Sequence, residues 1–157
     1  MKRLVPVLFA ILLLTGCAGR SDMPFNGPLT FHEITAVIPS SYVRDSTQSS
    51  ADLWVFEQGG YSKTILLSRK DIQGDQDASI DGYVAYMQSE GSDSARGTFL
   101  NTDAVLSTYT KENQYCQEML FVYNGSFYSV VLRGGTEEEF QSLLDEVNTP
   151  ETAPESS

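Results

Sequence analysis

Residues 105–133 read VLSTYTK-EN-QYCQEMLFVY-NG-SFYSVVLR. Three runs rich in β-branched and aromatic residues are separated by the dipeptides Glu112-Asn113 and Asn124-Gly125. Asn-Gly between such runs is the strongest short-range hairpin signal, because the two-residue turn that matches strand twist needs left-handed backbone at both positions. The stretch is therefore expected to fold as an antiparallel meander of Val105–Lys111, Tyr115–Tyr123 and Ser126–Arg133. Side chains alternate across a strand. Pairing across Asn124-Gly125 then places Tyr115, Met119, Phe121 and Tyr123 on one face with Tyr128, Val130 and Leu132. Cys116, Leu120 and Val122 share the other face with Phe127 and Val131. Both faces are apolar, so cover is expected on both sides of the sheet. Glu118 and Arg133 fall on the second face, placed as a cross-strand diagonal pair.

On the C-terminal side, Thr136-x-x-Glu139 is a capping box, and Glu137, Glu138 and Glu139 lie where the helix dipole favours negative charge. Phe140, Leu143, Leu144 and Val147 form one apolar stripe, and Thr149-Pro150 ends the helix. Residues 149–157 read as a disordered tail. On the N-terminal side, Ile80, Tyr83, Val84 and Met87 recur at helical spacing, with Asp77 or Ser79 as cap and Gly91 as stop. Ser92–Asn101 reads as a loop, with at most a short strand over Thr98–Leu100. Leu53–Gln58 and Lys63–Arg69 read as a hairpin turning at Gly59-Gly60, after a polar turn over Thr47–Asp52. Leu29–Val37 reads as a first strand, followed by the strand-like turn Ile38–Val43. The fold class is α+β, a mainly antiparallel sheet flanked by helices.

The first 28 residues have a different character. Lys2 and Arg3 precede an apolar run, Leu4–Leu14, as in a secretory signal. The run is too short for a permanent span, which needs about 20 apolar residues. It stops at Leu14-Thr15-Gly16-Cys17, which resembles the lipobox of bacterial lipoproteins. That resemblance implies a leader of residues 1–16, a diacylglyceryl thioether on Cys17 and the extracytoplasmic side of the cell membrane. Residues 17–28 then carry the lipid and form a flexible tether, leaving one domain over 29–148.

The order of strand, Ile38-Pro39-x-x-Tyr42, hairpin ending in Lys63-Thr-Ile-Leu-Leu-Ser-Arg69, helix, three-strand meander and helix resembles the PsbP-like α/β/α sandwich. That group includes a photosynthetic oxygen-evolving subunit, a nuclear-import factor and many small bacterial lipoproteins. The resemblance covers roughly residues 29–148. It implies a fold and a non-enzymatic habit of binding or assembly, with an envelope protein as the expected partner, and carries no site residues with it.

Composition narrows the chemistry. Ten basic against 21 acidic residues give a net charge of −11. No basic stripe exists to neutralise phosphates, which argues against nucleic acid, and an acidic domain is repelled by anionic lipid, so attachment falls to the acyl chains on Cys17. Cys116 is the second of only two cysteines, and His32 is the single histidine, a set too small for the common zinc sites. Cys116 reads as a buried core thiol, since a reactive thiolate needs a basic partner. No catalytic residue and no cofactor is expected. Two other readings place chemistry on named residues. One is an envelope hydrolase using His32 with a nearby Ser or Asp. The other is calcium-dependent binding by Asp71, Asp75 and Asp77, whose loop carboxylates suit a hard cation but not the spacing of a helix–loop–helix calcium site. The crowd of Tyr109, Tyr115, Phe121, Tyr123, Phe127 and Tyr128 is a candidate binding surface as well as a core.

Overall fold

The computed structural model describes residues 28–150. The expected leader, Cys17, the stretch up to residue 27 read as a tether, and residues 151–157 lie outside the described residues. Nine strands and two helices follow in order: β1 (Leu29–Phe31), β2 (Ile34–Ala36), β3 (Val43–Arg44), β4 (Leu53–Gln58), β5 (Lys63–Asp71), α1 (Gln76–Ser89), β6 (Asp93–Phe99), β7 (Thr102–Lys111), β8 (Gln114–Tyr123), β9 (Ser126–Arg133) and α2 (Glu137–Asp145). No described helix is long and apolar enough to cross a membrane.

The expected meander is present and is longer than the sequence suggested. Seven strands form one antiparallel sheet in the order β3-β4-β5-β9-β8-β7-β6. The chain runs down one edge to β5, crosses through α1 to the far edge at β6, and returns strand by strand until β9 pairs with β5. Each of the three return turns takes the left-handed backbone of its type: Leu100-Asn101, Glu112-Asn113 and Asn124-Gly125 all have positive φ. The register Phe121↔Tyr128, Met119↔Val130 sorts the two faces as expected.

On one face lies the main core. Phe121 stacks on Tyr128 with ring centroids 5.8 Å apart and meets Phe99 edge-on at 5.2 Å. Above them sit the β1–β2 hairpin and α2, which contribute Leu29, Phe31, Ile34, Phe140, Leu143 and Leu144. α2 starts as expected: Thr136 and Glu139 cap each other reciprocally. Lys63 bridges to Glu139 and, with the Thr136 amide, holds that carboxyl below its ordinary range. Gln117, buried in β8, donates to the Thr136 carbonyl and fixes where the helix begins. The opposite face carries a smaller core of Ile80, Val105, Leu120 and Val122 beneath α1. The layers are thus hairpin and α2, sheet, α1.

Three expectations are corrected. The single strand over 29–37 is two, because His32 takes a left-handed φ of 52° and turns the chain back on itself. Residues 93–99 are a full edge strand, not a loop. α1 is capped by Asp75, a turn before the expected start, with its carboxylate accepting from the Ala78 amide at 2.8 Å. At the C-terminal end, Asn148 pairs with Thr35 of β2 through two backbone hydrogen bonds, and Thr149 is buried. The packing therefore continues past residue 148, the limit expected for the domain, to Thr149.

The polar turn before β4 is organised by Asp45. Its carboxylate accepts from the Thr47 hydroxyl and amide, the Gln48 amide and the Tyr61 hydroxyl. These donors, the Thr47 and Tyr61 side chains foremost, hold its carboxyl at about 2, below its ordinary 3.8. A carboxyl whose folded value lies below its unfolded value adds stability above the unfolded value and loses it on acidification. Stability is therefore expected to fall as pH drops from about 4 to about 2. Asp45→Asn should flatten that part of an acid-unfolding curve, and an Asp45 carboxyl titrating near 4 by NMR would refute the assignment.

Candidate functional site

α1 covers only part of its face. Among the described residues it lies chiefly over β6 and β7, with Leu120 and Val122 of β8 and Phe127 of β9 packed in the same cluster. Along the boundary runs a cleft of two lobes. The larger, of about 550 Å³, is floored by Ser68 and Ser129, whose hydroxyls are 3.1 Å apart, and by Leu120. Its walls are Tyr83, Tyr86 and Ser79 on α1 and Phe127 on β9, with Lys70 at its end. The smaller, of about 330 Å³, continues between Tyr86, Met87 and Glu90 of α1 and Tyr109 to Lys111 of β7. Tyr86 and Glu118 line both lobes.

The helix sequence explains this placement. Ile80, Val84 and Met87 face the sheet core, whereas Ser79, Tyr83, Tyr86 and Glu90 follow at offsets 4, 7 and 11, a second stripe along the helix edge. Tyr83 was expected in the apolar stripe; it packs against the small core and also reaches the cleft.

Glu118 is the polar centre. It is buried and accepts a hydrogen bond from Tyr109 Oη at 3.3 Å, and its charge acts on the Tyr83 hydroxyl as well. Burial first, and then the Glu118 charge, push both phenols well above their ordinary value. They stay protonated and act as fixed donors. The expected diagonal pair with Arg133 does not form an ion pair among the described residues, because Glu118 turns to the two phenols instead. Arg133 stands directly across from Cys116 on the neighbouring strand.

The other candidates fall elsewhere. His32 sits on the exposed hairpin turn, where Nε2 is 2.9 Å from the Ala51 carbonyl and 3.0 Å from Asp52 Oδ1. None of its hydrogen bonds among the described residues reaches a hydroxyl, and it lines neither lobe, so the hydrolase loses its base–nucleophile pair. Its role is structural: with Glu33, which accepts from Tyr128 and Asn124, it pins the hairpin tip to the sheet. Asp71, Asp75 and Asp77 are employed separately. Asp71 pairs with Arg69 at 2.6 Å, Asp75 caps α1, and Asp77 pairs with Arg96 at 2.9 Å. Among the described residues, no group of three or more such ligands converges on one point. Cys116 is fully buried, and burial raises its thiol despite the opposing Arg133 charge; it is a core residue, as expected. Of the six aromatics singled out on the meander, only Tyr109 and Phe127 line the cleft. Phe121, Tyr123 and Tyr128 are core, and Tyr115 is exposed elsewhere. A second cleft of about 490 Å³ lies on the opposite face between residues 37–42 and α2, floored by Ile65, Leu132 and Leu143. Its polar lining, Gln58, Lys63, Glu138, Glu139 and Glu146, includes the Lys63–Glu139 ion pair that steadies the start of α2.

No family model matches the chain, and no curated protein matches it. Solved structures do. The solution structure of cyanobacterial PsbP (CyanoP) from Synechocystis is similar at a TM-score of 0.56 and 10% identity, covering 86% of this chain and 98% of that one. A Bacteroides thetaiotaomicron crystal structure is similar at a TM-score of 0.49 and 12% identity, covering 85% of this chain, which spans about half (49%) of that one. With 98% of the cyanobacterial domain matched and the α+β layers in place, the chain shares the PsbP-like fold.

Proposed function

We propose that this is a lipid-anchored, extracytoplasmic binding or accessory protein of the cell envelope, non-catalytic, with the cleft beside α1 as its binding surface. The observation that carries the reading is the state of the cleft's own groups. Its phenols are held protonated by burial, and Tyr109 donates to Glu118, so they order a surface and activate no nucleophile. The lipobox-like sequence at Cys17 is the ground for the location, and the PsbP-like fold is consistent with an accessory role.

Intact-mass spectrometry and fractionation of the native protein test this together. A mature chain starting at a diacylated Cys17 should sediment with membranes, and Cys17→Ala should release it to the soluble fraction. Capture from membranes in mild detergent should return an envelope partner or ligand. An unmodified Cys17 would remove the anchor, and capture that returns neither would remove the accessory role.

A further inference from the structure

We infer that the two-lobed cleft binds a neutral oligosaccharide, with one sugar ring stacked on Tyr86 and its hydroxyls bonded to Glu118. This rests on the reading of the cleft as a non-catalytic binding surface. Its length comes first. The helix edge from Ser79 to Glu90 spans about 16 Å at 1.5 Å per residue, and both lobes open along it. A ligand that fills both is an extended chain, with its middle over Tyr86 and Glu118.

Charge comes next. Lys70 stands beside Asp71 at one end, Lys111 and Glu90 stand at the other, and Glu118 lies between. Neither sign prevails, so the cleft has no cluster to hold a phosphate or a polycation, and the acidic chain as a whole repels anions. A lipid chain is also a poor fit: it would strand Glu118 and the Ser68–Ser129 hydroxyl pair without solvent.

What remains is a ligand with apolar faces and many hydroxyls. A carboxylate has about four acceptor sites, and one on Glu118 is used by Tyr109. The others, with the serine hydroxyls, are available to sugar hydroxyls. Tyr86 is 59% exposed, an aromatic ring left on the ridge between the lobes. Pyranose C–H faces stack on such rings, and a rigid ring gives contact area at little entropic cost. Tyr83 and Phe127 extend the same surface inward.

The test uses the full-length lipidated protein in a polyoxyethylene detergent, which carries no sugar headgroup, titrated calorimetrically with chitotetraose, cellotetraose and maltotetraose. Saturable binding of at least one tetraose is expected in the millimolar range or tighter. Tyr86→Ala should weaken it roughly tenfold, or about 1.4 kcal/mol, and Glu118→Gln several-fold. Tyr115→Ala, which removes an exposed ring outside the cleft, should leave it unchanged. Since Tyr86 is exposed, an unaltered circular dichroism spectrum will confirm that its variant folds. No saturable heat with any of the three sugars overturns the inference, as does binding that survives Tyr86→Ala. If partner capture from membranes persists while sugar binding is absent, the ligand class is wrong and the accessory role stands. If Tyr86→Ala abolishes partner capture and no sugar binds, the cleft docks protein and the inference is likewise overturned.

Discussion

Phe121→Ala is expected to cost about 3–5 kcal/mol of stability, the range for deleting a buried aromatic ring. The ring is fully buried between Phe99 and the stacked Tyr128, in the centre of the core that joins the sheet to the β1–β2 hairpin and α2. The sheet backbone around it is held by ladder bonds on both sides, through β7 and β9, and cannot collapse into the space. Such a loss is a large share of the roughly 5–15 kcal/mol that holds a domain together, and it should lower the melting temperature by about 10–20 °C. Leu106→Ala is the control. Leu106 lies on the same face of the adjacent strand but is 46% exposed, so it should move the urea midpoint little. Equal effects for the two variants would mean that the core has been placed wrongly.

The second large effect is expected from adding a single methyl group. Gly134 follows β9 with a φ of 71°, and its amide donates to the Tyr115 carbonyl at 2.9 Å. A Cβ there would overlap the backbone carbonyl of Ser62, in the turn between β4 and β5. An L side chain in this region costs about 1–2 kcal/mol on its own. The overlap is with main chain, which cannot rotate away, so the β4–β5 turn must shift and its bonds from Gln114 to the Tyr61 and Ser62 carbonyls stretch. Gly134→Ala should therefore destabilise by about 2–4 kcal/mol in total, typical of backbone strain with overpacking. Gly125→Ala is the comparison, because Gly125 has a positive φ but open space around it. It should pay the conformational cost alone. A melting temperature for Gly134→Ala no lower than that of Gly125→Ala would contradict the steric argument.

These two sites also show what could be read from the residues alone. The pairing that brings Phe121 opposite Tyr128 was legible because Asn124-Gly125 accepts only one kind of turn and the alternation on either side leaves no other register. α2 was legible because Thr136 and Glu139 cap it by local chemistry. β6 was not. Asp-Ser-Ala-Arg-Gly-Thr-Phe over 93–99 has neither apolar alternation nor β propensity, and its conformation comes from the ladder offered by β7. The turn at His32 was hidden for a similar reason: no glycine or asparagine marks it, and it is held by contacts from Asp52, Ala51 and the Glu33 clamp, distant in sequence.

The cleft was half visible. Tyr109 and Phe127 belong to the aromatic crowd noticed on the meander, but Tyr83 read as part of an apolar stripe and Tyr86 was not singled out. Only the crossing from β5 through α1 to the far edge brings that helix edge over Glu118. A long-range crossover leaves no local pattern. The signal that could have pointed there is the second stripe itself, Ser79, Tyr83, Tyr86 and Glu90.

The clasp between Thr35 and Asn148 sets how the domain responds to mechanical load. Leu29 and Ala36 sit side by side at the open end of the hairpin, so a pull on the chain at Leu29 unzips it pair by pair instead of shearing it. Two of the three pairs hold core side chains, Leu29 with Ala36 and Phe31 with Ile34. The inner strand is also backed by the Thr35–Asn148 bonds at 2.8 and 2.9 Å. The outermost strand thus yields first under tension while the second is held from behind, leaving the seven-stranded sheet and the helix-edge cleft out of the line of force.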